Sequence, residues 1–114
     1  MQPQPLHRVF HALADPTRLG MVDRLSRGPA TVSELAEPLA MAMPSVLKHL
    51  KVLEAGGLVG SRKSGRVRTY SLRSGGMSAV QDWVAARRAE WESRFDRLGA
   101  VPAVQERDTG QGSR

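Results

Sequence analysis

The chain has 114 residues, is 40% apolar and 25% charged, contains no cysteine and carries a formal net charge of +6. This composition is typical of one globular domain, and the lack of cysteine excludes disulfides, thiolate metal ligands and a cysteine nucleophile. Because the sequence has no long apolar run and residues 1–8 lack the apolar stretch of a signal peptide, we expect a soluble, cytoplasmic protein without membrane association.

The first part of the sequence predicts a loose segment and two helices. Residues 1–5 are rich in Gln and Pro and are expected to be loose. The first helix has apolar residues at helical spacing and ends before Asp15: Leu6, Val9, Phe10 and Leu13. Asp15 is a favoured N-cap and Pro16 a favoured first residue, so a second helix begins there and ends at Gly28-Pro29. Its predicted apolar stripe is Leu19, Val22 and Leu25.

Two further helices are indicated by their end signals. Thr31 and Glu34 have the spacing of a capping box, which predicts a short third helix that Pro38 limits. Pro44 is the predicted first residue of a fourth helix, which ends at Gly56-Gly57. In the fourth helix, Val46, Leu50 and Leu53 are expected to face the core, while Ser45, Lys48 and His49 are expected to share the solvent-facing side.

The remaining sequence predicts a β-hairpin and one long helix. The strands cover residues 58–63 and 66–72 around a Ser64-Gly65 turn. The helix runs from about Met77 to Leu98 and is amphipathic, and residues 99–114 are expected to be disordered. The predicted fold class is mainly α with a β-hairpin wing, a winged helix-turn-helix of four helices, two strands and a fifth helix. We expect residues 6–98 to form one domain.

The excess positive charge is confined to residues 44–73, where seven basic residues accompany the single acid Glu54. The rest of the chain has ten basic and ten acidic residues. Such concentration suits a phosphate backbone, whereas a patch that only confers solubility normally mixes signs. The four cations around the hairpin turn therefore predict phosphate contacts, with a merely solvated hairpin as the alternative: Arg62, Lys63, Arg66 and Arg68.

Two short helices followed by a basic hairpin favour binding of double-stranded DNA, with the fourth helix as the recognition helix in the major groove. The candidate DNA-binding residues of this helix are Pro44, Ser45, Lys48, His49 and Lys51. For His49 the alternative is a buried, hydrogen-bonded histidine.

Four stretches carry a family resemblance over residues 6–98: Leu13-Ala14-Asp15-Pro16-Thr17-Arg18-Leu19, Glu34-Leu35-Ala36, residues 46–59, and Gly65-Arg66 with Tyr70 and Leu72. The chain resembles the ArsR/SmtB-type winged-helix repressors of bacteria and archaea. The resemblance implies a homodimeric repressor of an inverted-repeat operator, with the first and last helices at the dimer interface. The candidate interface residues are Leu6, Phe10, Leu13, Val84, Trp91, Phe95 and Leu98.

Departures from the family argue against metal sensing. Arsenic-sensing relatives have cysteines where this chain has Thr31, Ser33 and Ala36, and a hydroxyl or methyl group cannot replace a thiolate toward a soft metal. Zinc-sensing relatives use His in the last helix, but residues 77–98 contain none. We therefore expect no metal site and no cofactor. His7 and His11 have a spacing that can hold zinc, although packing at the interface is favoured.

Functions other than DNA binding fit the sequence less well. A winged-helix module that binds protein instead of DNA would not need its charge confined to one segment. The sequence lacks the motifs of an enzyme, such as a glycine-rich phosphate loop or a nucleophile elbow. Trp83, Trp91 and Phe95 could line a ligand pocket, but we expect them in the core and the dimer interface. A small-molecule effector is left open.

Overall fold

A computed structural model of the protein describes residues 5–99. The expected loose start and disordered tail therefore lie outside the described residues, except for Pro5 and Gly99. The described part contains five helices and three strands, in the order α1 (Leu6–Leu13), α2 (Pro16–Leu25), β1 (Ala30–Thr31), α3 (Val32–Ala36), α4 (Met43–Ala55), β2 (Val59–Ser64), β3 (Val67–Leu72) and α5 (Ser74–Leu98). It forms two compact units, and the boundary in sequence lies between Val80 and Gln81.

The ends of α2 and α3 follow from their capping residues. The Asp15 carboxylate accepts a hydrogen bond from the Arg18 backbone N–H at 3.0 Å, as a favourable N-cap does. At α3, Thr31 Oγ1 accepts from the Glu34 N–H at 3.1 Å and Glu34 Oε1 accepts from the Thr31 N–H at 2.8 Å. Both bonds of the predicted capping box are therefore formed.

Two details of the predicted helices are wrong. α2 ends at Leu25, and its buried residues are Met21 and Leu25, whereas Leu19 is 48% exposed. Of the predicted stripe, Leu25 is buried and Val22 packs against the core, but Leu19 does not belong to it, and Met21 takes its place. α4 begins one residue earlier than predicted, at Met43, and its N-cap Ala42 makes no side-chain hydrogen bond.

The end of α4 is a Schellman motif. Gly57 has φ +76°, a conformation that glycine adopts without strain, and its N–H donates to the Glu54 carbonyl at 3.0 Å. The Leu58 N–H donates to the Leu53 carbonyl at 3.0 Å. Since Leu58 is buried, this turn leads the chain directly from α4 into the sheet.

The strands form an antiparallel sheet in the order β1-β3-β2. The hairpin of β2 and β3 is present as predicted, and Ser64 pairs with Val67. The turn therefore consists of Gly65, with φ +64°, and Arg66, so that Arg66 belongs to the turn and not to a strand. β1 was not expected from the sequence; it pairs Ala30 with Tyr70 and ties the start of α3 to the wing.

The core lies between the helices and the sheet of the first unit. It contains the three α4 residues that the sequence analysis places there, and its buried members are Val9, Ala12, Met21, Leu25, Ala30, Leu35, Val46, Leu50, Leu53, Leu58, Val59 and Tyr70. Burial raises the pKa of the Tyr70 phenol. Gly56 allows α1 and α4 to approach closely, because a Cβ at this position would lie 3.0 Å from the Ala12 Cβ.

α5 begins at Ser74, three residues before the predicted start. From Gln81 to Gly99 every residue is exposed except Phe95, which is half-buried. The expectation that Trp83 and Trp91 belong to the core is therefore wrong for the single chain. Within this unit Trp91 and Phe95 contact each other edge to face, with ring centroids 4.6 Å apart. No helix in the described part of the chain is long and apolar enough to cross a membrane.

Candidate nucleic-acid interface

The outer face of α4 is the first part of the candidate interface. α4 packs against α1, α2 and α3, and Val46, Leu50 and Leu53 fill its inner side. Four of the predicted DNA-binding residues are exposed along the helix: Pro44, Ser45, Lys48 and Lys51. An α-helix fits the major groove, so this face can offer two ammonium groups and a hydroxyl to a duplex.

His49 does not share that solvent-facing side, which corrects the predicted placement. Its side chain is only 21% exposed. The physical reason is its position three residues after Val46 and four before Leu53, both buried, so that His49 borders the core face of the helix. Its Nδ1 lies 3.2 Å from Arg18 Nη1 and 3.8 Å from Asp15 Oδ2. Its contact with DNA remains a prediction.

Arg18 joins three helices at this point, a role that sequence reasoning missed. Its Nε donates to the Ala12 carbonyl at 2.7 Å and its Nη2 to the His11 carbonyl at 3.3 Å, which satisfies carbonyl groups at the end of α1. The backbone N–H of Arg18 holds the pKa of the Asp15 carboxyl below its ordinary value. The only sequence signal was that Asp15 and Arg18 belong to a stretch that carries the family resemblance.

The wing, defined here as residues 59–72, is the second part of the candidate interface. All four of its predicted phosphate-binding cations are exposed. Lys63 pairs directly with Arg68 across the strands, whereas Arg62 pairs with Thr69. Since side chains alternate along a strand, Lys63 and Arg68 share one face, Arg62 lies on the other, and Arg66 is at the tip. The Arg68 Nη1 donates to Ser61 Oγ at 2.8 Å, which orients this guanidinium.

Two apolar side chains on α4 also lie on the exposed surface, although neither was among the predicted DNA-binding residues. Met43 and Leu47 are each 44% exposed. Apolar side chains in the major groove can contact the methyl group of thymine. In the sequence, Leu47 directly precedes Lys48-His49.

The positions that carry thiolates in arsenic-sensing relatives do not fit a metal here. Thr31 Oγ1 is already used as the acceptor of the α3 capping box, and Ala36 has no donor atom. Within residues 5–99 no three His, Cys, Asp or Glu side chains form a group that could hold a metal ion. His7 and His11 are exposed on α1.

The short helix α3, the longer helix α4 with its polar outer face and the cationic wing define a winged helix-turn-helix DNA-binding protein. Residues 13–62 match the family described as a helix-turn-helix domain. The HTH-type transcriptional regulator Rv2034 of Mycobacterium tuberculosis (strain ATCC 25618 / H37Rv) is 45% identical over 74 residues, which cover 65% of this chain and 69% of that protein. The crystal structure of the ArsR family transcriptional regulator RHA00566 is 50% identical, with a TM-score of 0.74, over 76% of this chain and 96% of that one.

The chain therefore belongs to the ArsR/SmtB family of winged helix-turn-helix transcriptional regulators. This confirms the resemblance, the fold class and the assignment to regulators of transcription instead of enzymes. A further similar structure is the solution NMR structure of the homodimeric winged helix-turn-helix domain Mb0332 from Mycobacterium bovis. It has a TM-score of 0.57 and 27% identity, over 79% of this chain and 82% of that one.

Proposed function

We propose that the protein is a cytoplasmic, homodimeric repressor that binds an inverted-repeat operator through α4 and the wing. The observation that carries the proposal is that every lysine and arginine of α4 and of the wing is exposed. In this arrangement α4 enters the major groove and the wing contacts the adjacent backbone.

The charges of the wing favour an anionic partner. Lys63 and Arg68 are directly opposite each other in the β2–β3 register, and like charges in such a pair repel. A hairpin that served only solubility would gain from an acid at one of these positions, but residues 59–72 contain none. Phosphate groups would relieve the repulsion, so we assign Arg62, Lys63, Arg66 and Arg68 to backbone contacts.

The outer face of α4 supplies base recognition in this proposal. Ser45 can donate or accept a hydrogen bond, and Lys48 can donate to acceptors on guanine. Pro44 begins the exposed face, Lys51 lies one turn beyond Leu47, and His49 borders this face. Contacts to base edges distinguish sequences, whereas the wing contacts hold the protein in register.

The dimer is supported by apolar side chains that the single chain leaves exposed. On α1, Phe10 is 39% exposed, and in the second unit Trp91 and Leu98 are 53% and 75% exposed. A second copy would cover them, together with the other predicted interface residues Leu6, Leu13, Val84 and Phe95. The similar Mb0332 domain is described as homodimeric. A two-fold axis would set the half-sites about one turn apart, roughly 34–36 Å.

We further propose that regulation does not operate through metal binding. Thr31, Ser33 and Ala36 supply no thiolate, and His7 and His11 form only a pair on α1. Release from DNA, if it is ligand-controlled, would then use a small molecule.

The test is selection of duplexes from a random-sequence library, followed by titration of the enriched sequence and a shuffled copy at about 50 and 200 mM salt. If the four wing cations of each protomer all contact phosphate, eight contacts predict a loss of roughly 10⁴-fold in affinity between these salt concentrations. Enrichment of an inverted repeat with this salt dependence supports the proposal. Failure to enrich any sequence, or binding that ignores salt, contradicts it and favours a protein-binding module.

A further inference from the structure

We propose that Arg18 is a positioning residue that fixes the tautomer of His49, so that the recognition helix presents an N–H donor at Nε2 to a hydrogen-bond acceptor on a base edge. This inference rests on the proposed DNA-binding function and specifies one of its contacts. It starts from a side-chain pair that is 31 positions apart in sequence and joins α2 to α4.

The chemistry of the pair determines which ring nitrogen holds the proton. Arg18 Nη1 lies 3.2 Å from His49 Nδ1. A guanidinium group has only donors, so Nδ1 must be the acceptor of this hydrogen bond. Neutral imidazole has one N–H, and the proton is therefore on Nε2.

Other hydrogen bonds fix the position of Arg18 beside His49. Its Nε and Nη2 donate to carbonyl groups at the end of α1, at 2.7 and 3.3 Å, and its own backbone N–H donates to Asp15 Oδ2 at 3.0 Å. Asp15 Oδ2 is 3.8 Å from His49 Nδ1, which is beyond hydrogen-bonding distance. Asp15 therefore caps α2 and faces the imidazole within ion-pair distance, while the hydrogen bond to Nδ1 comes from Arg18.

The other nitrogen of His49 is available to a ligand. Among the described residues no buried side-chain nitrogen or oxygen lacks a hydrogen-bond partner, and the hydrogen bond given for His49 involves Nδ1. Nε2 therefore reaches the solvent on the flank of α4, next to the face that carries Ser45 and Lys48. In the major groove an N–H donor there selects acceptors, namely purine N7, guanine O6 or thymine O4, over the amino groups of adenine and cytosine.

The tautomer can be measured without DNA. In ¹⁵N-labelled protein in mildly alkaline solution, long-range ¹H–¹⁵N spectra of the imidazole rings separate protonated from unprotonated nitrogens. We expect His49 to show a fully protonated Nε2 and a fully unprotonated Nδ1. Short unstructured peptides that contain histidine supply the reference histidines, with averaged shifts of mixed tautomers. In Arg18→Ala, His49 should move to the averaged shifts. A proton on Nδ1, wild-type shifts equal to the reference histidines, or no change in Arg18→Ala would overturn the assignment.

The contact itself is tested with two amide variants on the library-selected duplex. His49→Gln keeps an amide N–H near the position of Nε2, whereas His49→Asn places its amide near Nδ1. We expect Asn to lower specific affinity about three- to tenfold more than Gln, which is the effect of one hydrogen bond. Equal affinities would refute the base contact. Since the tautomer is measured in the free protein, an incorrect tautomer assignment can be distinguished from a failure of DNA binding.

Discussion

Replacement of Trp91 by alanine tests the proposed dimer. The Trp91 side chain is 53% exposed in the single chain, which for a tryptophan of about 250 Å² corresponds to roughly 130 Å² that a second copy can cover. At about 25 cal/mol per Å² this area contributes about 3 kcal/mol per ring, and the two-fold axis doubles it to about 6 kcal/mol. Since each 1.4 kcal/mol or so is a factor of ten, we expect the dimer dissociation constant to rise by roughly 10⁴.

Sedimentation equilibrium over nanomolar to micromolar concentrations measures this constant directly. Glu92→Ala is the matched control, because Glu92 is the exposed neighbour of Trp91 on the same helix and offers little apolar area. Operator affinity should fall with dimer affinity in Trp91→Ala, since two linked half-site contacts become two weak ones. A wild type that sediments as a folded monomer at micromolar concentration, or a Trp91→Ala dimer as tight as the control, would refute the reasoning.

Three further outcomes are expected. Gly56→Ala should lower the free energy of unfolding in urea by about 1–3 kcal/mol, because the new Cβ lies 3.0 Å from the Ala12 Cβ, whereas Gly20→Ala has open space and should be neutral or stabilising. Because the pKa of Asp15 is lowered in the folded protein, its carboxylate stabilises the fold fully above the ordinary pKa, and this contribution is lost as the pH falls through the folded-state pKa. Asp15→Asn should therefore reduce the decline in the free energy of unfolding at acid pH. Micromolar zinc, cadmium or arsenite should leave the protein–operator complex bound; release that depends on the histidine pair of α1 would contradict this.

The features that the sequence predicts correctly are local in the chain. Asp15 contacts the backbone of Arg18, and Thr31 contacts Glu34, in both cases only three residues away. Such caps depend on residue type and spacing, which the sequence displays directly. The hairpin was predictable for the same reason, although its turn is one residue later than expected.

The features that the sequence does not reveal depend on tertiary packing. β1 has two residues, too few to show alternation, and it exists because Ala30 pairs with Tyr70. The side of α2 that is buried is set by its neighbours, which cover Met21 and leave Leu19 exposed. His49 is turned toward α2 by a contact with Arg18 that spans 31 positions. Helical periodicity gave no information about that partner.

The most direct test of the account is the salt dependence of operator binding by the double variant Arg66→Ala/Arg68→Ala. If both residues contact phosphate, a dimer loses four contacts, and the slope of log affinity against log salt should become shallower by about 3.6, with the ratio of operator to shuffled affinity unchanged. Arg27→Ala/Arg97→Ala removes the same charge from exposed positions outside α4, the wing and the predicted dimer interface, and should keep the wild-type slope. An unchanged slope in the wing variant, or an equal loss in the control variant, would contradict the assignment of the wing to the DNA backbone.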